Sequence, residues 1–130
     1  MSLLLWCLLI AGVLPILAKA PVVYFQNRDN GYDNKHPRAQ QQRLLGRGAR
    51  AVAGHYNAYE AFPLFAAVVL AALATFQITD RIEFLSISFI VLRVLYHIAY
   101  LSNYDKLRSL IWFLATLCPV LILAQVAISV

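Results

Sequence analysis

The sequence predicts an all-α integral membrane protein, built as an antiparallel bundle of four transmembrane helices. Of its 130 residues, 62% are hydrophobic and only 13% are charged, whereas a soluble domain is usually about 25% charged. The polar residues cluster between apolar runs that are long enough to cross a bilayer. A chain of this length is expected to form one small domain, which we place over residues 1–130.

The first apolar run covers residues 3–25 and is interrupted by Pro15. Two interpretations of it compete. An Ala-Lys-Ala triplet at residues 18–20 resembles the small-residue site at which a signal peptide is cleaved. Against this, no Lys or Arg precedes the apolar run, and the run continues past the triplet as far as Phe25. We therefore predict a retained transmembrane helix that is kinked near Pro15.

Three further helices are predicted at residues 44–78, 82–103 and 107–129. Residues 26–44 are polar and rich in turn-forming residues, so they are predicted to form a loop. The helix over 44–78 has a length of about 50 Å, which exceeds the hydrocarbon thickness, so its first turns should project into water or headgroups. Because the connections between the helices are short, neighbouring helices should run antiparallel.

The basic residues predict the orientation of the bundle. The third loop contains Lys106 and Arg108, whereas the second loop contains only Arg81. The first loop and the start of the second helix are the most basic part of the chain, with Arg28, Lys35, Arg38, Arg43, Arg47 and Arg50. The positive-inside rule therefore places loops one and three in the cytoplasm and both termini outside. The short chain, with no basic retrieval tail at its C-terminus, favours a bacterial inner membrane.

Several classes of function are disfavoured by the composition. The basic residues flank membrane spans and do not form a separate basic fold, so no nucleic-acid partner is predicted. Cys7 and Cys118 lie in apolar runs and predict no disulfide framework. No three residues have the spacing of metal ligands, and the chain contains neither a nucleophile elbow nor a phosphate-binding glycine motif.

Polar residues on the second helix indicate a functional site. Asn57 and Glu60 are three residues apart and share a helix face, and Arg50 lies two turns before Asn57 on nearly the same line. A carboxylate near hydrocarbon is costly, which favours a functional role. The alternative is a snorkelling or interhelical structural glutamate. His55 points roughly opposite Asn57 and is predicted to lie outside the site.

The third helix carries a second polar face. Arg93, Tyr96 and Tyr100 occur at i, i+3 and i+7 and therefore project on one side of the helix. A purely structural explanation also exists, in which the tyrosines form an interfacial aromatic belt and Arg93 forms an internal ion pair with Glu60. A lipid-facing belt would not select the face of Arg93, so we favour a site. His97 lies on a different face.

Counting residues along the helices predicts which polar groups meet. Glu60 and Tyr100 each lie 20 residues from Asp80, or about 30 Å along their helices, so they should have similar depth. Arg108 should return to this level, and Arg93 should lie about 10 Å deeper. Such a cluster suits an anionic, peptide-like ligand, because guanidiniums bind carboxylates and Glu60 can bind an ammonium. A guanidinium beside a thiol would also lower the thiol pKa.

Two segments of the sequence resemble the signatures of a known family. Residues 57–65 read Asn-Ala-Tyr-Glu-Ala-Phe-Pro-Leu-Phe, and residues 93–100 read Arg-Val-Leu-Tyr-His-Ile-Ala-Tyr, with Arg108 following at the start of the last helix. They are similar to the Asn-x-x-Glu-x-x-Pro-x-Phe and Arg-x-x-Tyr-x-x-x-Tyr patterns and the fourth-helix arginine of the membrane-associated proteins in eicosanoid and glutathione metabolism (MAPEG). Microsomal glutathione transferases belong to this family.

The resemblance implies a homotrimer of four-helix subunits that binds glutathione between neighbouring subunits near the cytoplasmic face, in contact with membrane lipid. It implies that Asn57 and Glu60 hold glutathione, that Tyr96 and Tyr100 line it, and that Arg108 stabilises its thiolate. Arg93 is either a further ligand of glutathione or a structural partner of Glu60.

The expected function is that of a glutathione transferase or peroxidase, a detoxification enzyme whose lipophilic electrophile enters from the bilayer. Catalytic members of the family usually carry an arginine four residues before the signature asparagine, where this chain has Ala53. Arg50, one turn earlier, is the candidate replacement. Ala53 also motivates an alternative, a non-catalytic member that binds lipid or regulates a partner. A channel is disfavoured, because the charged residues cluster at one end of the bundle.

Overall fold

Six helices make up most of the computed structural model, which describes residues 1–130. They are α1 (Ser2–Leu17), α2 (Lys19–Arg28), α3 (Pro37–Arg43), α4 (Arg47–Ala74), α5 (Asp80–Leu101) and α6 (Asp105–Ser129). Four segments are long and apolar enough to cross a membrane, namely Ser2–Arg28, α4, α5 and α6. The all-helical architecture with four candidate spans is therefore confirmed.

The first span is divided into α1 and α2 at Ala18, three residues after Pro15. Proline lacks the N–H that would bond to the preceding turn, and its ring crowds that turn. The carbonyl of Pro15 accepts a hydrogen bond from outside the span, which the Nδ1–H of His55 donates at 3.0 Å. The sequence predicts that His55 lies outside the polar site. Its buried side chain instead stabilises the break between α1 and α2 through this hydrogen bond.

The first loop contains a helix that the sequence pattern does not predict. Residues 26–44 were expected to lack regular structure, but Pro37–Arg43 is helical and holds Gln40 with only 1% of its surface exposed. The Gln40 amide nitrogen donates to the carbonyls of Gln26 and Gly31 at 3.0 and 2.8 Å, and its oxygen accepts from the backbone N–H of Asp33 at 2.9 Å. A buried amide thus satisfies the backbone groups that turns leave unpaired.

Asp33 closes the turn before α3. Its carboxylate accepts the backbone N–H groups of His36 and Lys35, each at 3.0 Å. The N–H of His36, followed by that of Lys35, holds the pKa of the Asp33 carboxyl below its ordinary value. The Asp33 carboxylate therefore stays ionised and accepts these hydrogen bonds at neutral and mildly acidic pH. The turn loses this stabilisation only as the pH falls through the lowered pKa of Asp33.

The connection between α4 and α5 begins earlier than the sequence predicts. The helix expected over 44–78 ends at Ala74, and the connection comprises residues 75–79, whereas residues 80–83 form the first turn of α5. The end is a Schellman motif, in which Phe76 adopts φ 57° and the N–H groups of Phe76 and Gln77 donate to Leu73 and Ala72 at 3.2 and 2.9 Å. No glycine follows Ala74 to signal the end of α4. The apolar residues continue beyond this end, so the sequence pattern predicts a longer helix.

The bundle is arranged around the α4–α5 pair. α1 packs against α4 and α5 on one side, and α6 packs against the same two helices on the other, without contacting α1. Phe65 of α4 and Phe89 of α5 stack at the centre with ring centroids 4.1 Å apart. This arrangement leaves two spaces beside the central pair, one facing α6 and one facing α1, and the side chain of Arg93 borders both.

Candidate functional site

The central feature of the site is a hydrogen bond from α5 to α4. Nη2 of Arg93 donates to Oδ1 of Asn57 at 2.7 Å. The prediction that Arg93 lies about 10 Å deeper than Glu60 is therefore wrong. It is wrong because α4 ends at Ala74: measured from the helix ends, Glu60 lies about 21 Å from Ala74 and Arg93 about 20 Å from Asp80, which places them level. The same count places Tyr100 about 30 Å from Asp80, so the prediction that Tyr100 and Glu60 have similar depth is also wrong.

Asn57 bridges the two charged residues of the site. Its Nδ2 donates to Oε2 of Glu60 at 3.4 Å while its Oδ1 accepts from Arg93. Arg93 and Glu60 themselves form no ion pair within 4.0 Å, so the structure does not contain the direct Arg93–Glu60 pair that was the alternative explanation. The Asn57 amide can contact both residues because it carries an NH₂ donor and a carbonyl acceptor. Arg93 is buried, with 7% of the residue's surface exposed, and Asn57 is the hydrogen-bond partner of its guanidinium.

Aromatic contacts continue the site towards the third loop. The guanidinium carbon of Arg93 lies 4.4 Å from the ring centroid of Tyr96, and that of Arg108 lies 4.4 Å from the centroid of Tyr100. The two tyrosine rings meet edge to face at 5.7 Å. Tyr96 is buried and so is not part of a lipid-facing belt, whereas Tyr104 is 63% exposed. An unbroken series of contacts thus joins Glu60 to Arg108.

Arg50 is the predicted site residue that this series does not include. It lies seven residues before Asn57 on α4, about 10 Å along the helix axis. Its Nε is buried without a hydrogen-bond partner, and it makes no hydrogen bond or ion pair with the other predicted residues. The assignment of Arg50 to the ligand therefore stays a prediction.

A cleft between α4, α5 and α6, with a volume of about 200 Å³, lies at the Glu60 end of the contact series, and Tyr96, Tyr100 and Arg108 do not line it. Asn57, Glu60 and Arg93 form its polar wall. The rest of the lining includes Trp112 and Thr116, which the sequence analysis missed. They follow Arg108 at i+4 and i+8, so the helix face of Arg108 could have identified them. The other lining residues are Ala61, Leu64, Phe89, Ala115 and Pro119.

The electrostatics of the site favour an anion. Arg93 and Arg108 supply two cations against the single carboxylate of Glu60, which leaves an excess of one positive charge. Glu60 is exposed on the surface of the chain, although it lies about 21 Å from the Ala74 end of α4. No group of three or more His, Cys, Asp and Glu side chains is arranged to hold a metal ion.

The fold and the cleft define a four-span membrane protein with a polar site inside the bundle. The chain belongs to the MAPEG family, because it matches the model of that family over residues 3–128. No curated protein and no solved structure matches the chain significantly. At the level of the family, the protein is an integral multi-pass membrane protein related to glutathione or eicosanoid metabolism.

Proposed function

We propose that the protein is a glutathione transferase or peroxidase that acts on lipophilic electrophiles. The observation that carries the proposal is the contact series from Glu60 through Asn57, Arg93, Tyr96 and Tyr100 to Arg108. Glutathione carries two carboxylates, one ammonium and a thiol, and has one net negative charge. The excess positive charge of the site complements it, and the separate Glu60 and arginines match its separated charges.

Each residue has a distinct part in binding. Glu60 accepts the ammonium of glutathione, and Asn57 holds Glu60 and Arg93 in fixed positions. The only hydrogen bond of the Arg93 guanidinium within the subunit goes to an amide, so its remaining N–H groups can donate to a carboxylate of glutathione. Tyr96 and Tyr100 line the peptide. Arg50, nearer the cytoplasmic end, replaces the arginine that other members carry where this chain has Ala53.

Arg108 performs the activation of the thiol. A thiol with a pKa of about 8.5 is mostly protonated at neutral pH, and each unit of lowering requires about 1.4 kcal/mol of preference for the thiolate. The Arg108 guanidinium supplies this preference, and stacking on Tyr100 restricts its position. The thiol proton passes to water. The thiolate then attacks the electrophilic carbon, a sulfur–carbon bond forms, and the leaving group departs with its bonding electrons.

The lipophilic substrate occupies the apolar part of the cleft. Leu64, Phe89 and Trp112 line this part, and Trp112 is 44% exposed at its edge. An electrophile dissolved in the bilayer can therefore reach the thiolate without crossing water.

We infer a homotrimer in which a neighbouring subunit covers the open side of each cleft, so that glutathione lies between subunits. An exposed carboxylate about 21 Å from the outer end of α4 lies within hydrocarbon in an isolated subunit, where it is costly. A neighbouring subunit and the bound peptide would cover Glu60 and supply polar partners. This assembly agrees with the partial exposure of Tyr100 and Arg108.

Titration of the detergent-solubilised protein with glutathione tests the proposal. Calorimetry should show saturable binding, and the ultraviolet band of a thiolate should grow in parallel. S-methylglutathione is the control, because it keeps all the charges but has no thiol, so it should bind without the band. Absence of both heat and band, with lipid co-purifying in the cleft, would instead support the alternative of a non-catalytic lipid-binding or partner-regulating member, which Ala53 favours.

We further propose a bacterial inner membrane location with loops one and three in the cytoplasm. Cys7 and Cys118 are buried, so a membrane-impermeant maleimide should report only introduced thiols. Asn34→Cys in the first loop should react in inverted vesicles and not in intact cells, and Phe76→Cys in the second loop should do the opposite. The reverse pattern would contradict the orientation derived from the basic residues.

A further inference from the structure

The side of α3 that points away from the bundle carries two arginines. Gln40 and Gln41 are buried on the inner side of this short helix. The opposite side is formed by residues at positions i, i+1, i+4 and i+5, which project together from a helix. All four are exposed, and we call them the arginine face: Arg38, Ala39, Gln42 and Arg43.

The arginine face lies beside the end of the first span. Nε2 of Gln26 donates to the carbonyl of Pro37 at 2.9 Å at the start of α3, and Oε1 of Gln41 accepts from Nζ of Lys19 near its end. Lys19 is nine residues before Arg28, where the span ends, a distance of about 13.5 Å along the axis. α3 therefore has the depth of the last turns of the span, where lipid headgroups surround a transmembrane helix.

Contacts on both sides of α3 hold the arginine face in place. Gln40 bonds to backbone groups of the preceding turns, as described above. Leu44, directly after α3, is buried against Val22 and Ala51. The two arginines are thus carried by an anchored helix, and their guanidiniums need little further ordering to bind a ligand.

The basic side chains around α3 have no carboxylate partner within the chain. The ion pairs of the structure join the N-terminus to Glu83 and His36 to Asp33, so none includes a lysine or arginine side chain. Residues 26–50 contain six Lys and Arg against two Asp, an excess of four positive charges. Unpaired guanidiniums at the depth of the headgroups complement phosphate, which their planar fork binds through two parallel hydrogen bonds.

The residue that follows this segment favours a lipid over a soluble phosphate. Leu45 is 86% exposed and lies between Arg43 and Arg47, which are exposed as well. An apolar side chain flanked by arginines suits the boundary between headgroups and acyl chains, because the leucine can enter hydrocarbon while the guanidiniums stay at the phosphates. A soluble phosphate would leave Leu45 in water.

We propose that the arginine face binds the headgroup phosphate of an anionic phospholipid, with Leu45 inserted beside the acyl chains. This surface lies outside the polar cleft, and its binding of lipid does not depend on glutathione.

A fluorescent label on the arginine face tests which lipid contacts it. Ala39→Cys can be labelled alone with a bimane maleimide, because Cys7 and Cys118 are buried. The full chain is placed in phosphatidylcholine nanodiscs that contain increasing fractions of a lipid with a nitroxide near its carbonyl end, either phosphatidylglycerol or phosphatidylcholine. Nitroxide phosphatidylglycerol should quench the label at a much lower mole fraction, since each arginine at an anionic surface contributes about fivefold to binding.

Matched double variants locate the preference. Arg38→Gln with Arg43→Gln should make the two nitroxide lipids quench equally. Arg81→Gln with Lys106→Gln removes the same charge from exposed positions outside the first loop and should leave the preference unchanged. A preference that survives the first pair, or that both pairs reduce equally, would show that the general charge of the protein attracts the lipid, and would overturn the proposal.

A measurement with both arginines in place guards against variants that fail to fold. Raising the salt from about 0.1 M to about 1 M shortens the screening length from about 10 Å to about 3 Å. The preference for phosphatidylglycerol should then fall, while quenching by phosphatidylcholine should persist. A preference that salt leaves unchanged would contradict a role for the guanidiniums.

Two further outcomes would overturn the proposal. Inorganic phosphate that displaces phosphatidylglycerol more than chloride does at equal ionic strength would show that the arginine face binds a soluble anion. A label that neither nitroxide lipid quenches would show that water or a neighbouring subunit covers this face.

Discussion

Arg108→Ala is expected to abolish the thiolate band of bound glutathione and to lower the rate of conjugation by about a hundredfold, the usual effect of removing one charge-stabilising donor. Arg108 stacks on Tyr100 at 4.4 Å and is the cation at the loop-three end of the contact series. Because Glu60 and Arg93 remain, glutathione should still bind, so kcat should fall more than KM rises. Absorbance titration and steady-state conjugation of a chloronitrobenzene measure the two effects.

Lys106→Ala is the matched control for Arg108. Lys106 is exposed in the same first turn of α6, so its removal lowers the local positive charge by the same amount without removing the stacked guanidinium. It should leave the band in place. If both variants lose the band equally, the general field of the third loop activates the thiol and Arg108 has no specific part. If Arg108→Ala keeps the band, the assignment is wrong.

Asn57→Leu is expected to lower the free energy of unfolding by about 2–3 kcal/mol and to abolish measurable glutathione binding. The substitution leaves the buried Arg93 guanidinium without its 2.7 Å hydrogen bond and frees Glu60. Stability can be measured by denaturant titration in detergent, and binding by calorimetry.

A double substitution separates the stability effect from a simple loss of packing. Arg93→Met removes the buried charge, so Asn57→Leu added to it should cost much less than Asn57→Leu alone. Asn57→Asp keeps the shape and the acceptor for Arg93 but places a second carboxylate 3.4 Å from Glu60, so it should retain stability better than the leucine variant. Additive losses in Asn57→Leu and Arg93→Met would show that the bridge contributes nothing to stability.

The places where sequence reasoning failed share a cause. The end of α4 depends on Phe76, a residue that rarely adopts positive φ, and no local signal marks it. Counting residues 75–79, which are a non-helical connection, as part of the helix shifted the predicted depth of Arg93 relative to Glu60 by about 9 Å. The short helix α3 depends on the burial of Gln40, a residue type that is usually exposed. Both features arise from contacts between segments, which a residue pattern does not record.

The sequence by itself determined the four candidate spans, the family, and the residues that share a face on each polar helix. These properties are local, because hydropathy sets a span and the helical repeat sets a face. Tertiary structure alone decided that Asn57 stands between Arg93 and Glu60, that Trp112 and Thr116 complete the cleft, and that Arg50 lies apart from it. These relations depend on where helices end and how they rotate against one another, which packing of the whole bundle determines.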